Sequence, residues 1–195
     1  MPRQQTDLFA ESPPLEPEGL VYRPDLVSAA EETELIGRIG TLDLKPFEFH
    51  GYQGLRRVKA FGWRYDYGAQ RVSAADEVPE FLLPIRDRVA AFADLEPQAL
   101  EQVLVTEYRP GAGIGWHRDK PQFAEVIGVS LGAPCVLRFR RRRGDGWDRE
   151  NLTAEPRSAY LLDGPARTEW EHSIAPMTQL RYSVTFRRRR SPPLP

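Results

Sequence analysis

The chain has 195 residues, 41% of them hydrophobic and 28% charged, with a formal net charge of −1. That length suits one domain with a real core, and the composition is ordinary for a soluble globular protein. A single cysteine, Cys135, excludes an internal disulfide framework, and no apolar run approaches the roughly 18 residues of a membrane span. The first residues lack the basic start and apolar centre of a secretory signal. A cytoplasmic protein is expected, acting as a monomer and without a membrane partner.

The net charge hides an asymmetry. Residues 1–50 carry 4 Lys/Arg against 10 Asp/Glu, a balance of −6, and the rest carry 23 against 18, a balance of +5. Much of the basic excess sits in two clusters, Arg138 to Arg143 and Arg187 to Arg190. Such clusters suit a polyanionic partner, although on charge alone a solvated strand end or tail reads the same way.

Residues 1–18 are rich in Pro, Gln and Glu and are predicted to be flexible. "SAAEETELIGRIGTL" reads as a helix, with Ser28 and Glu31 as a capping box and Leu35, Ile36 and Ile39 as its apolar stripe. The segment "FHGYQGLRRVKAFGWRYDYG" reads as one or two hairpins. "VPEFLLPIRDRVAAFADL" reads as a second helix beginning near Pro79, with Phe81, Leu82, Ile85, Val89 and Phe92 inward. Pro84 falls early enough in it to be tolerated.

From residue 100 the pattern becomes short apolar runs broken by turns. In "LRYSVTFR", Tyr182, Val184 and Phe186 alternate with Arg181, Ser183, Thr185 and Arg187, as a strand between two environments does. Several such strands favour a sandwich or barrel over a βαβ sheet. The fold class is mainly β with N-terminal helices.

Three histidines are few enough to take singly. His50 lies in an aromatic loop, "FEFHGY". His117 and Asp119 are two apart, so an extended segment presents both on one face. With His172 they form two histidines and one carboxylate, the ligand set of a non-haem Fe(II) site with open positions. A closed zinc site would normally draw on more cysteines than this chain has. His-x-Asp alone is a weak signal. Arg181 strengthens it, because an arginine directed into a β core needs an anionic partner; a solvent-facing Arg181 is the alternative.

Four pieces in order, "EYRPGAGIGWHRDK", "VIGVSLGAPCVLRF", "EWEHSIAP" and "RYSVTFR", make the chain resemble the AlkB family of Fe(II)/2-oxoglutarate dioxygenases. They cover about residues 106–187. The resemblance implies a double-stranded β-helix, or jelly roll, with a nucleotide-recognition lid. It implies one domain over 19–190, with a lid at about 45–75 and a core at about 100–188, flanked by segments 1–18 and 191–195. Fe(II) would be held by His117, Asp119 and His172. Arg181 would pair with the distal carboxylate of 2-oxoglutarate, helped by Tyr108, and Arg187 would lie at the inner end of the pocket, near the co-substrate or the target.

The implied reaction uses Fe(II), 2-oxoglutarate and O2. Oxidative decarboxylation to succinate and CO2 accompanies hydroxylation of an N-methyl group. The hemiaminal then collapses to formaldehyde and unmodified base, of the 1-methyladenine or 3-methylcytosine type, in DNA or RNA. Thr106 and Ser183 stand where members often carry Asn. Both keep a hydroxyl, so both remain expected co-substrate contacts. Pro121 stands where some DNA-repair members carry an acid near the target base, so the resemblance does not fix the lesion.

"RRVKAFGWRYDYGAQR" interleaves aromatic and basic residues, which suits base stacking beside phosphate contact. Phe61, Trp63, Arg64, Tyr65 and Tyr67 are the expected substrate contacts; packing of these aromatics on the jelly roll is the alternative. Trp116 is expected to pack on the strand face opposite His117, Cys135 to be buried, and Arg140 to Arg143 to form a basic rim or an exposed hairpin tip. Two further functions stay open at this stage. One is an oxygenase acting on a protein side chain, and the other is a nucleic-acid-binding module with an inactive metal site.

Overall fold

Ser28 starts helix α1 (Ala29–Gly40) as its sequence predicts. Its side chain accepts from the Glu31 amide at 3.3 Å, and the Glu31 carboxylate accepts from the Ser28 amide at 2.8 Å. The computed structural model in which this is seen describes residues 17–190, apart from 50, 51, 67 and 69. His50 and Tyr67 therefore lie outside the described residues. A 3-10 turn at Glu80–Leu82 leads into α2 (Leu83–Phe92), with Pro84 in the first turn, where its missing N–H costs nothing. Leu82, Ile85 and Val89 are buried, while Phe81 and Phe92 are half-buried at the edge of the core.

The chain enters through β1 (Leu20–Arg23), ahead of α1. Two hairpins follow α1: β2 (Lys45–Phe49) with β3 (Tyr52–Phe61), and β4 (Trp63–Asp66) with β5 (Arg71–Ala74). After α2 come β6 (Gln102–Tyr108), β7 (Ile114–His117), β8 (Phe123–Gly132), β9 (Cys135–Arg143) and β10 (Gly146–Ala154). Next are β11 (Ala159–Leu162), the one-turn helix α3 (Gly164–Thr168), β12 (Glu171–Ile174) and β13 (Arg181–Arg189). No described helix is long and apolar enough to cross a membrane.

The strands form a seven-stranded sheet, β1-β11-β8-β13-β6-β3-β2, and a four-stranded sheet, β10-β9-β12-β7; β4 and β5 pair separately. All named strand pairs are antiparallel. Two cores result. Leu35, Ile39, Ile85 and Val89 of the helices pack on Val103, Val105, Val129 and Val184 of the larger sheet. On its other face, Tyr108, Val126 and Tyr160 pack against Leu137, Phe139 and Ile174 of the smaller sheet. This is the expected jelly roll, with helices outside one sheet and the site between the two sheets.

Strand β13 shows why the alternation matters. Tyr182, Val184 and Phe186 belong to the helix-side core. Arg181, Ser183, Thr185 and Arg187 therefore face the space between the sheets. The hairpin β4–β5 departs from β3 at Gly62, whose φ is +70°. A Cβ there would lie 2.0 Å from the Glu101 carbonyl oxygen, so only glycine fits this bend.

That bend corrects one expectation. Phe61, expected to contact substrate, is 3% exposed and packs in the helix-side core. The turn at Gly62 breaks the alternation linking it to Trp63 and Tyr65. Trp116 lies on the face opposite His117, as expected, but it is half-buried under arginines rather than sealed in a core. Cys135 is buried, as expected.

Candidate metal and co-substrate site

Two neighbouring strands of the smaller sheet bring the histidines together. β7 and β12 pair so that His117 lies opposite His172, and the rings stand 4.3 Å apart between centroids. Asp119 follows in the loop after β7. One ligand atom from each of His117, Asp119 and His172 lies within 4.8 Å of the others, the only such group of three His, Cys, Asp or Glu among the described residues. His117 Nδ1 lies 2.9 Å from the Gly115 carbonyl. With Nδ1–H donating there, Nε2 keeps its lone pair for a metal.

The electrostatics suit a cation. Burial, with His117 alongside, pushes His172 down to about 3, and burial also lowers His117. Both imidazoles are thus neutral ligands at physiological pH. Burial alone would raise Asp119, but Arg187, His172, His117 and Arg167 hold its carboxyl well below the usual range. It is an anion at physiological pH. Arg187 donates to Asp119 Oδ1 from Nε at 3.0 Å and Nη2 at 2.8 Å, and from Nη1 to Gln102 at 2.9 Å. Oδ2 lies 3.5 Å from His172 Nε2, on the metal side. Arg187, expected near the co-substrate or the target, is placed here as the residue that orients the carboxylate ligand.

Arg181 lies on the interior face of the larger sheet, directly opposite Tyr108 in register. It is 0% exposed. Its Nε donates to Ser130 Oγ at 3.1 Å, and its guanidinium lies 5.2 Å from the Tyr108 ring centre. Nη1 and Nη2 are buried with no hydrogen-bond partner. A buried cation with two unused donors is costly unless an anion meets it. A carboxylate, which takes two parallel N–H donors, fits that gap. Thr106 and Ser130 flank Ser183 in register, so three buried hydroxyl residues share the interior face of the larger sheet with Arg181.

Two residues at this site escaped sequence reasoning. Tyr160 of β11 lies across Gly128, where a Cβ would sit 2.4 Å from its hydroxyl oxygen. Its side chain shares the interior core with Tyr108 and Cys135. Burial pushes it up to about 12, so it stays a neutral hydroxyl. The pairing of a glycine in "VIGVS" with a tyrosine in "SAYLL" was the only available signal. The second is Arg167 of α3, 5% exposed. It donates to the carbonyls of Ala124, Lys120 and Phe123 at 2.9, 2.6 and 2.7 Å. It thereby ties down the loop that carries Asp119. "GPARTEW" looks like a surface turn and gives no sign of this.

The β4–β5 hairpin lies close to the loop that carries Asp119. Lys120, next to Asp119, has its ammonium 4.9 Å from the Tyr65 ring centre. The Trp63 ring is covered by the Arg189 guanidinium at 3.8 Å, which pins the hairpin to the end of β13. Arg64 is exposed and donates to Ser73 Oγ at 3.3 Å. The structure thus brings Tyr65 and Trp63 to the site's border and leaves Phe61 in the core.

A family model, the 2OG-Fe(II) oxygenase superfamily, matches residues 19–189. The chain belongs to that superfamily, whose enzymes use Fe(II), 2-oxoglutarate and O2. It is 31% identical over 182 residues, 80% of this chain and 50% of the relative, to the "Alkylated DNA repair protein ALKBH8 homolog" of Arabidopsis thaliana. It is 30% identical over 135 residues, 69% of this chain and 53% of the relative, to the "Probable RNA/DNA demethylase ALKBH6" of Danio rerio. It thus spans about half the length of these two relatives. The fold matches the structure of OsALKBH1 with a TM-score of 0.66 at 17% identity, covering 87% of this chain and 96% of that one. Within the superfamily, the chain is an AlkB-family dioxygenase.

Proposed function

We propose that this protein demethylates N-alkylated bases in nucleic acid, of the 1-methyladenine or 3-methylcytosine type. The observation that carries the reading is one interior between two facing sheets, with a three-ligand cluster at the smaller sheet and, on the larger, a buried arginine with two unused donor nitrogens. His117, Asp119 and His172 would hold Fe(II), which when bound supplies O2 activation. Arg181 would hold the distal carboxylate of 2-oxoglutarate, with Tyr108, Thr106 and Ser183 lining its seat. Arg187 keeps Asp119 ionised and oriented. The region at about 45–75 would serve as the lid, with Trp63, Arg64 and Tyr65 on the substrate side. A base must leave its stack to enter such a pocket. The names of the Arabidopsis thaliana and Danio rerio relatives support a nucleic-acid substrate.

The test is incubation with Fe(II), ascorbate and 2-oxoglutarate, with oligonucleotides carrying 1-methyladenine or 3-methylcytosine. Base reversion by mass, with formaldehyde and succinate released in equal amounts, is expected; Asp119→Ala abolishes both. Succinate release with a protein substrate and none with methylated oligonucleotides would overturn the proposal.

A further inference from the structure

The smaller sheet has a second face, which the reaction does not use. On β9, Leu137 and Phe139 point into the interior core, so Arg138, Arg140 and Arg142 point outward. Register places Arg149 of β10 opposite Arg140 and Trp147 opposite Arg142. Two tryptophans interleave with these cations. The Arg140 guanidinium lies 4.5 Å from the Trp116 ring centre and 4.2 Å from that of Trp147. Arg138 lies 5.2 Å from Trp116, and Arg142 lies 5.4 Å from Trp147.

This ladder is under-neutralised. Arg140 is paired with Glu171 at 2.6 Å. Among the described residues, Arg118, Arg138, Arg142 and Arg149 have no carboxylate within ion-pair distance. Arg118, Arg140 and Trp147 also line one open groove of about 370 Å³. Arg118 stands in sequence between His117 and Asp119, so the groove runs behind the strand end that carries the cluster.

Trp147 is 37% exposed, an unusual residue to leave in water on a cationic face. A guanidinium stacked on an aromatic ring is held flat, with its edge N–H donors free. It loses less freedom when it grips an anion than a loose lysine does. Spaced cations with interleaved π-faces match a chain of phosphodiesters carrying bases. An acidic protein surface would use the cations but not the rings.

We infer that the outer face of the four-stranded sheet binds the single-stranded nucleic acid flanking the target nucleotide. Arg138, Arg142 and Arg149 contact phosphates, and Trp147 offers a stacking surface. This inference rests on the nucleic-acid reading above. It adds a second anchoring surface on the reverse side of the strands that carry the metal ligands.

The experiment measures anisotropy of a labelled, unmethylated single strand of about 20 nucleotides against the full chain at several salt concentrations. The double variant Arg142→Ser/Arg149→Ser is expected to bind roughly 10-fold more weakly at low salt. Its slope of log affinity against log salt should fall by about 1.4, at ~0.7 per phosphate contact on a single strand. Trp147→Ala is expected to bind ~10-fold more weakly with an unchanged slope, since it removes stacking rather than charge. All three positions are at the surface, so melting temperatures should match the wild type. Demethylation of a methylated trinucleotide, too short to reach the ladder, should be unchanged. Wild-type affinity and slope in the double variant, with demethylation intact, would overturn the inference alone. A wild-type protein that neither binds the strand nor demethylates any methylated nucleic acid would overturn the nucleic-acid reading, and this inference with it.

Discussion

Arg167→Met tests whether the loop bearing Asp119 is held in place from outside the site. Arg167 is 5% exposed, and its guanidinium donates to three backbone carbonyls, those of Ala124, Lys120 and Phe123. Hydrogen bonds from a charged donor contribute ~1.5–3 kcal/mol each. Burying the cation without a carboxylate offsets part of that, because desolvation of an ion costs several kcal/mol. A net loss of about 3 kcal/mol in folding stability follows. A domain of ordinary stability, ~5–15 kcal/mol, remains folded after that loss. The sharper effect falls on metal binding. With the loop freed, Asp119 must be ordered on binding, and lost support of this kind weakens a metal site ~10–100-fold. Urea unfolding measures the first quantity, and anaerobic calorimetry with Fe(II) measures the second. Arg167→Lys keeps the charge but lacks the fork that reaches several carbonyls, and should fall between the two. A destabilised Arg167→Met that binds Fe(II) as tightly as the wild type would refute the reasoning, since the loop would then hold Asp119 unaided.

Three other outcomes follow from the same geometry. Arg181→Met should raise the KM for 2-oxoglutarate by ~100-fold or more, from two lost charged hydrogen bonds at ~1.5–3 kcal/mol each. It should leave Fe(II) affinity nearly unchanged and the ligand-free protein no less stable, because an unmatched buried charge goes; an unaltered KM would contradict the assignment. The metal-free protein should lose about 2 kcal/mol of stability between ~pH 6.5 and ~pH 5 from His172 alone. Its folded-state pKa, about 3, lies below the ordinary value of 6.5, so stability is complete above that ordinary value and is lost as pH falls towards the folded one. Urea melts across that range should be flatter for His172→Asn, and parallel curves would refute the point. Gly62→Ala should cost ~2–4 kcal/mol, from left-handed backbone strain and a clash with the Glu101 carbonyl, and a wild-type melting temperature would show that the bend relaxes freely.

What could be read in the sequence was what repeats at short range. The capping box at Ser28 and Glu31 and the alternation of β13 are local patterns, and both appear as expected. The ligand set was legible because His117 and Asp119 are two residues apart and His172 sits in its own motif. Strand β1 was not legible, because four residues next to a proline-rich stretch carry no period and gain strand structure by pairing with β11. Phe61 was misplaced because its aromatic neighbours continue past Gly62, and composition cannot reveal where alternation restarts. The roles of Arg167 and Tyr160 depend on partners on other elements, backbone carbonyls for one and a glycine face for the other.

Arg181 and Arg187 illustrate why one strand serves both stability and chemistry. They are six residues apart on one face of β13, so the pleat sends both between the sheets. Their environments differ in what meets the charge. Arg187 is satisfied within the chain by Asp119 and Gln102. Arg181 has a single hydroxyl partner and two idle donors. A fold that could satisfy one arginine with a carboxylate had the means to satisfy the other, and Ser183, Ser130 and Thr106 place hydroxyls where an acid would have closed the gap. Three uncharged residues on the face that carries the buried cation keep the site selective for an incoming anion. The same strand builds the helix-side core through Tyr182, Val184 and Phe186. The position of the unmatched charge is therefore fixed by packing on the opposite face, and a substitution at Val184 or Phe186 that shifted the strand would move both arginines together.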